Sequence, residues 1–153
     1  MPNLEWTMLN NLQLGQYAEY FAKMEFASYG LDVYTSEVDD HGIDFIIKDN
    51  NQRFCEVQVK SLRKSGYVFM RKTHFDINDS NLYLVLLLFF NGKLPDIFLI
   101  PAEVWKKPEG IFVDRNYDKP GQKSAPEYGI NVSNKNYKLL EKYLFEKFIS
   151  AFL

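Results

Sequence analysis

A carboxylate, an amide and an amine lie close together in this chain, and side chains of these types could bind a metal ion beside a phosphate ester. Asp44 begins a run rich in Ile and Phe, and Gln58 and Lys60 are two residues apart in the next apolar run. Asp44 and Gln58 could give oxygen ligands to Mg²⁺, which prefers about six oxygens, several from water. Such an ion would hold a phosphate oxygen and lower the pKa of a bound water. Lys60 could orient that water or stabilise charge on phosphorus.

Two consecutive strands are predicted to position these residues. Ile43 to Lys48 and Arg53 to Ser61 favour strands, and the turn-forming residues Asp49 to Gln52 separate them, which predicts a β-hairpin. Alternation divides the second strand between two faces: Phe54, Glu56, Gln58 and Lys60 against Cys55, Val57 and Val59. The second face is apolar throughout, so we expect it to meet the core, with Cys55 as a buried residue rather than a nucleophile.

The register of this hairpin decides whether the three polar side chains meet. If Asp49 pairs with Arg53, Asp44 lies opposite Gln58 and shares its face. A slip of two residues keeps that face and sets Asp44 opposite Glu56. A slip of one residue turns Asp44 to the other face and removes the site. A polar strand face that binds no ligand is the alternative interpretation.

The remaining sequence predicts one domain over residues 1–153 with an α/β or α+β fold. Asn10 to Gly30 has the spacing of an amphipathic helix, and Gly30 is a plausible stop. Further strands are predicted at Leu31 to Ser36, Tyr67 to Arg71, Leu82 to Phe90 and Asp96 to Ile100. Residues 107–126 are expected to be rich in loops, and Asn134 to Phe152 is expected to form a closing helix. The order predicts a sheet between helices.

Composition excludes several classes of protein. Hydrophobic residues make up 46% of the 153 residues, which is enough for a core and argues against disorder. The formal net charge is −2, so a surface for nucleic acid must be local. The single cysteine and the absence of a Cys/His cluster argue against disulfide and zinc frameworks. The nine apolar residues Leu82 to Phe90 are too few to span a bilayer, and no signal peptide begins the sequence, so we expect a cytoplasmic protein.

The polar residues of the hairpin resemble a known signature. The sequence Gly42-Ile43-Asp44, followed by Glu56-Val57-Gln58-Val59-Lys60, resembles the PD-(D/E)XK nuclease superfamily in the Q-x-K form of Mrr-type restriction endonucleases. The segment Gly15 to Glu19 is similar to the first helix of archaeal Holliday-junction resolvases, which supplies a glutamate to the metal site. The resemblance covers roughly the first 60 residues. It implies a restriction-endonuclease-like fold, in which a mixed central β-sheet is flanked by helices and the order begins α-β-β-β.

The resemblance also implies an activity. The chain would be a Mg²⁺-dependent (or Mn²⁺-dependent) endonuclease that hydrolyses phosphodiester bonds in DNA, with Asp44, Gln58 and Glu19 at the metal and Lys60 assisting the water. Glu56 would be an auxiliary carboxylate. Paired sites are needed to cut two strands together, so the resemblance implies a homodimer. Two alternatives remain: an inactive nucleic-acid-binding or assembly module with this fold, which the amide of Gln58 favours, and a nuclease directed at RNA.

A basic stretch follows the predicted site. Between residues 60 and 72 there are several cations and two aromatic residues but no acidic side chain, which suits phosphate contacts and base stacking. The residues predicted to contact nucleic acid are Arg63, Lys64, Tyr67, Arg71 and Lys72. An ordinary basic edge strand is the alternative. His41 lies in a predicted turn near Asp44 and could approach the metal, although a turn residue is the simpler interpretation.

Overall fold

The computed structural model describes residues 1–35 and 42–153, so His41 and most of the predicted turn at residues 39–42 lie outside the described part. The helices and strands are α1 (Asn11–Ser28), β1 (Asp32–Tyr34), β2 (Phe45–Lys48), β3 (Phe54–Arg63), β4 (Gly66–Arg71), β5 (Leu82–Phe89), β6 (Asp96–Pro101), β7 (Phe112–Arg115), β8 (Glu127–Val132) and α2 (Phe145–Phe148). Short 3₁₀ helices lie at Trp6–Met8, Lys72–His74, Ala102–Lys106, Tyr137–Tyr143 and Ile149–Phe152. The order begins α-β-β-β, as the resemblance implies.

A mixed five-stranded sheet forms the centre of the molecule. Its strand order is β1-β2-β3-β5-β6. β3 and β5 run parallel, whereas the pairs β1–β2, β2–β3 and β5–β6 are antiparallel. Every residue of β5 is buried, which its unbroken apolar sequence requires of a strand covered on both faces. The predicted mixed central sheet is therefore confirmed.

Helix α1 covers one face of this sheet. Asn10 caps the helix, because its side chain accepts the N–H of Gln13 while the Gln13 side chain accepts the N–H of Asn10. The helix then ends before Gly30, whose φ of +80° suits a residue without a Cβ. The side chains that α1 buries against the sheet are Leu14, Ala18, Phe21, Ala22 and Phe26. Helix α1 confirms the prediction for residues 10–30 with slightly shorter ends.

A second sheet, and not a second long helix, covers the other face. It has the antiparallel order β4-β8-β7, and its apolar side chains pack on Leu84, Leu86 and Leu88 of β5. Residues 107–126 are mostly loop, as predicted, apart from the four residues of β7, and β8 was not predicted. These strands are short, and Gly129 interrupts the apolar pattern of β8. Their pairing with β4 depends on contacts distant in sequence.

The predicted closing helix at Asn134 to Phe152 was wrong. The segment forms two 3₁₀ helices and a four-residue α2, with a break at Leu144 (φ −48°, ψ 131°). Leu144 pairs with Phe98 in an isolated β-bridge at the edge strand β6. Residues before the break pack between the two sheets, whereas Phe145, Ile149 and Phe152 pack under α1. The chain must cross the sheet edge between these clusters, so one continuous helix cannot serve both. Within the described residues, no helix is long and apolar enough to cross a bilayer.

Candidate active site

The hairpin of β2 and β3 has the predicted register. Phe45 pairs with Val57, and the Asp49 N–H donates to the Arg53 carbonyl at 2.9 Å, which leaves residues 50–52 as the loop. The ladder ends at this pair, and its register extended by one residue sets Asp44 opposite Gln58, as predicted. Cys55 and Val57 face the core beneath α1, and burial raises the pKa of the Cys55 thiol to about 11. An inert buried thiol is what the alternation in β3 predicts.

Asp49 stabilises the turn that sets this register. Its buried carboxylate accepts the N–H of Asn51 at 2.9 Å, the N–H of Arg53 at 2.8 Å and the Arg53 guanidinium at 2.8 Å. Burial alone would raise the pKa of Asp49, but the hydrogen bonds and charge of Arg53 and the N–H of Asn51 outweigh it and hold the pKa below its usual value. The ionised carboxylate therefore supports the hairpin.

Asp44 lies just before β2, where the backbone pairing with β3 has ended. Its side chain bonds to β3 in place of that pairing. The backbone N–H of Asp44 donates to the Val57 carbonyl at 2.9 Å, and its Oδ2 accepts the N–H of Val59 at 2.6 Å. Val59 is the residue between Gln58 and Lys60. The carboxylate is thus anchored to the backbone of β3 next to both predicted partners.

The amide of Gln58 is held in one orientation. The side chain is 4% exposed, and its Nε2 donates to the backbone carbonyl of His74 at 2.5 Å. Because only the amide nitrogen can donate to a carbonyl, Oε1 points away from His74. Gly42 passes close by with a φ of +75°, and a Cβ there would lie 3.2 Å from the His74 Cβ. Glycine at this position lets the chain pass close to the turn that holds Gln58.

One cleft of about 390 Å³ collects the three predicted residues. Its walls come from the residues just before β2, from β3, from β4 and from the turn after β4. They are Gly42, Asp44, Gln58, Val59, Lys60, Phe69, Met70, Arg71 and His74. In the part of the chain that the structure describes, the ammonium of Lys60 has no hydrogen-bond or ion-pair partner. The cleft therefore combines one carboxylate, one oriented amide and the cations Lys60 and Arg71, which suits a metal ion and a phosphate together.

His74 is a cleft residue that the sequence did not reveal. It follows β4 in a 3₁₀ helix, it lines the cleft, and its carbonyl holds Gln58. The contact joins residues sixteen positions apart through a backbone atom, so no local pattern marks it. The position of His74 after a basic strand was the one available signal.

Glu19 lies on the far side of Asp44. It lines an adjoining groove of about 670 Å³ that runs along the start of α1 and includes Asp44 and Val59. Its carboxylate forms an ion pair with Lys23 at 3.0 Å. Glu56 faces the same side of β3 as Gln58, opposite Ile46, but it does not line the cleft. Asp44 and Val59 therefore line both the cleft and the groove.

The donor set of the site consists of hard oxygens. Among residues 1–35 and 42–153, no group of three His, Cys, Asp or Glu side chains is placed to hold a metal. A metal at this site would therefore need the amide oxygen of Gln58 and water beside the carboxylate of Asp44. Mg²⁺ and Mn²⁺ accept such sets, since Mg²⁺ keeps several waters and binds through one or two carboxylates.

The five residues predicted to contact nucleic acid have different surroundings. Arg71 lines the cleft, and the exposed Lys64 lies in the turn before β4 with a φ of 63°. The Arg63 guanidinium donates to the carbonyl of Trp6 at 2.6 Å and to that of Leu9, which ties the N-terminal segment to β3. Tyr67, which lies in the second sheet, donates to Glu127 of the neighbouring strand β8. Lys72 donates to Asp114 of β7 and, at 2.7 Å, to Asn116 just after it.

Comparison with known proteins gives structural likenesses only. No family model matches the chain, and no curated protein matches it. Hjc, a Holliday junction resolvase from the archaeal hyperthermophile Archaeoglobus fulgidus, aligns with a TM-score of 0.51 at 13% identity over 82% of this chain and 88% of that one. A bacterial homing endonuclease, I-Ssp6803I, aligns at 0.49 and 18% identity over 82% and 78%. The likeness to Hjc shows that the chain has a restriction-endonuclease-like fold.

Proposed function

We propose that this protein is a metal-dependent endonuclease that hydrolyses phosphodiester bonds in DNA. The observation that carries the proposal is the bond from the Val59 N–H to the Asp44 carboxylate, because it holds Asp44 beside Gln58 and Lys60 in one cleft. The fold supports the proposal, since Hjc, which shares it, is a Holliday junction resolvase. Neither the fold nor the cleft alone defines an activity, so the side-chain chemistry carries the assignment.

Asp44 and Gln58 would hold the metal ion. Asp44 supplies negative charge, and Gln58 supplies the amide oxygen that its bond to His74 turns away from the turn. Glu19 would contribute through water across the groove that it shares with Asp44. When bound, Mg²⁺ or Mn²⁺ would neutralise phosphate charge and lower the pKa of a bound water.

Lys60 and Arg71 are assigned to the phosphate. Lys60 would orient the attacking water and stabilise negative charge on phosphorus as it develops, because its ammonium has no other described partner. Arg71 would hold a phosphate oxygen of the strand at the cleft wall. The proton that the water loses would pass to solvent, which leaves Asp44 ionised.

A cleavage assay with charge-removing variants tests this proposal. Linear duplex, branched and single-stranded DNA, and RNA, would be incubated with the protein in Mg²⁺, Mn²⁺ or EDTA. We expect metal-dependent cleavage that falls roughly 100-fold or more in Asp44→Asn and Lys60→Ala. Lys135→Ala, which removes an exposed lysine far along the chain, is the matched control and should cut normally. No cleavage of any substrate by the native protein would refute the nuclease.

A second candidate is a nucleic-acid-binding or assembly module that keeps the fold without turnover. The uncharged amide at Gln58, bonded to the His74 carbonyl, favours it, because an amide holds a divalent cation less strongly than a carboxylate. Tight binding of DNA without cleavage in either metal would select this candidate. Cleavage of RNA in preference to DNA would instead select the RNA-directed nuclease.

A homodimer is part of the proposal, because simultaneous cleavage of two strands needs two active sites. Light scattering coupled to size-exclusion chromatography would measure the mass in solution. A dimer that binds one DNA duplex would support concerted cleavage, whereas a monomer at working concentrations would leave strand-by-strand nicking as the reaction.

A further inference from the structure

Strand β4 turns its aromatic side chains outward at the rim of the cleft. Val68 and Met70 face the core, and Met70 is 2% exposed. Tyr67, Phe69 and Arg71 alternate with them and face out, and Phe69 is 42% exposed. β4 is an edge strand of the second sheet and packs beside β3, so this outer face continues into the cleft.

Tyr67 is held rigidly in this face. Its hydroxyl donates to the buried Glu127, and the Arg115 guanidinium lies 4.4 Å from the centre of its ring. Burial and the bond to Glu127 raise the pKa of Tyr67, which keeps the hydroxyl a donor. Gly129 lies beneath the ring, where a Cβ would come within 2.2 Å of the Tyr67 hydroxyl oxygen. The Tyr67 ring is therefore already covered by Arg115, so a nucleobase cannot stack on the ring face that Arg115 occupies.

Phe69 is the open member of the pair. Its ring lies beside that of Tyr67, with centres 6.3 Å apart and planes inclined by 20°, so Tyr67 supports its orientation. Phe69 lines the cleft with Lys60 and Arg71. A phenyl ring exposed in a cleft that also contains two cations offers a flat apolar surface near the charges that would attract phosphates.

We propose that Phe69 stacks on an unpaired nucleobase next to the scissile phosphate, so that the site selects DNA with single-stranded nucleotides over uninterrupted duplex. The inference rests on the proposed function. Arg71 and Lys60 would hold the flanking phosphates, which matches the charge of the strand to the cleft. A base inside a duplex is covered on both faces by its neighbours, so only an unpaired base can lie on the ring.

Binding without turnover tests the inference. Fluorescence anisotropy in EDTA would compare a labelled single-stranded oligodeoxynucleotide with its duplex, using the native protein, Phe69→Ala and Phe69→Trp. We expect Phe69→Ala to weaken single-strand binding roughly 5- to 150-fold and duplex binding less than about 2-fold, and Phe69→Trp to retain binding. Phe54→Ala is the matched control, because Phe54 is 57% exposed at the start of β3 but outside the cleft.

A spectroscopic readout separates stacking from loss of fold. Fluorescence of 2-aminopurine in the single strand should be quenched by the native protein and by Phe54→Ala, but not by Phe69→Ala. Equal binding and quenching by Phe69→Ala would overturn the inference. If Phe69→Ala cleaves every substrate as the native protein does, the stacking proposal is rejected and the nuclease proposal is retained. If the native protein neither binds nor cleaves DNA, both proposals are rejected.

Discussion

The carboxylate of Asp44 accepts the backbone N–H of Val59 at 2.6 Å, and Val59 separates Gln58 from Lys60. The bond begins where the β2–β3 ladder stops at Phe45 and Val57. The Asp44 side chain therefore has two roles: it bonds to the backbone of β3 beyond the end of β2, and it supplies the negative charge of the cleft. The distance between the proposed metal site and the proposed phosphate site is set by backbone geometry, not by flexible side chains alone.

Two substitutions at Asp44 separate these tasks. Asp44→Asn keeps an oxygen that can accept the Val59 N–H but removes the charge, whereas Asp44→Ala removes both. We expect both variants to lose metal-dependent cleavage. Asp44→Ala should also lose about 1 kcal/mol or more of unfolding free energy, and Asp44→Asn less, in urea titrations at neutral pH. Normal cleavage by Asp44→Asn would remove the carboxylate from the metal site.

Gln58→Glu tests whether the amide of Gln58 stabilises the fold at the expense of metal affinity. An ionised glutamate cannot donate to the His74 carbonyl, so two acceptors would face each other. We expect a loss of roughly 1–3 kcal/mol of stability in EDTA, and a larger gain in melting temperature with Mg²⁺ than in the native protein. Gln58→Met, which has neither donor nor oxygen, is the control and should gain nothing from Mg²⁺. Equal Mg²⁺ responses of native protein and Gln58→Glu would contradict a metal at this position.

The hairpin and the position of its polar residues could be predicted from the sequence, because strand alternation and a short turn are local. Asp49 and Arg53 are four residues apart, and their pairing sets the register in which Phe45 pairs with Val57, next to Asp44 and Gln58. The burial of β5 could be predicted for the same reason, since its eight residues are all apolar. Local patterns therefore define the strand elements that carry the site.

The residues that complete the cleft could not be predicted, because they arrive through distant packing. The contact between Gln58 and His74 uses a backbone oxygen, which has no sequence signature. Residues 134–152 have a helical apolar pattern, but the edge of β6 captures Leu144 and directs the rest of the segment under α1. Tertiary contact outweighed local propensity there.

Lys72 is expected to act as a positioning residue for Gln58. Its ammonium bonds to Asp114 and Asn116 and lies 4.6 Å from the centre of the Tyr128 ring, which fixes the start of the turn that ends at His74. Lys72→Met should cost under about 1 kcal/mol of stability, as for a surface ion pair. It should raise the Mg²⁺ concentration for half-maximal cleavage about 10-fold, with most of the rate recovered at saturating metal.

A control for Lys72 exists elsewhere in the chain. Lys93→Met removes a comparable ion pair, with Asp96 at 2.9 Å, away from the cleft, and should leave the Mg²⁺ dependence unchanged. If both variants respond to Mg²⁺ alike, the link from Lys72 through His74 to Gln58 is absent.

Acidification should release the turn that sets the register. The pKa of Asp49 is lower in the folded chain than its unfolded value of about 3.9, so its stabilising effect is complete above that value and is lost as the pH falls through the folded pKa. Asp49→Asn keeps an acceptor oxygen but has no charge to lose. In urea titrations between pH 7 and pH 2.5, we expect the native protein to be more stable than Asp49→Asn at neutral pH, and the difference in unfolding free energy to shrink at the acid end.

Asp118→Asn, which removes an exposed carboxylate in the loop after β7, is the control and should follow the native curve. A constant difference between native protein and Asp49→Asn across the range would show that the charge of Asp49 does not support the hairpin.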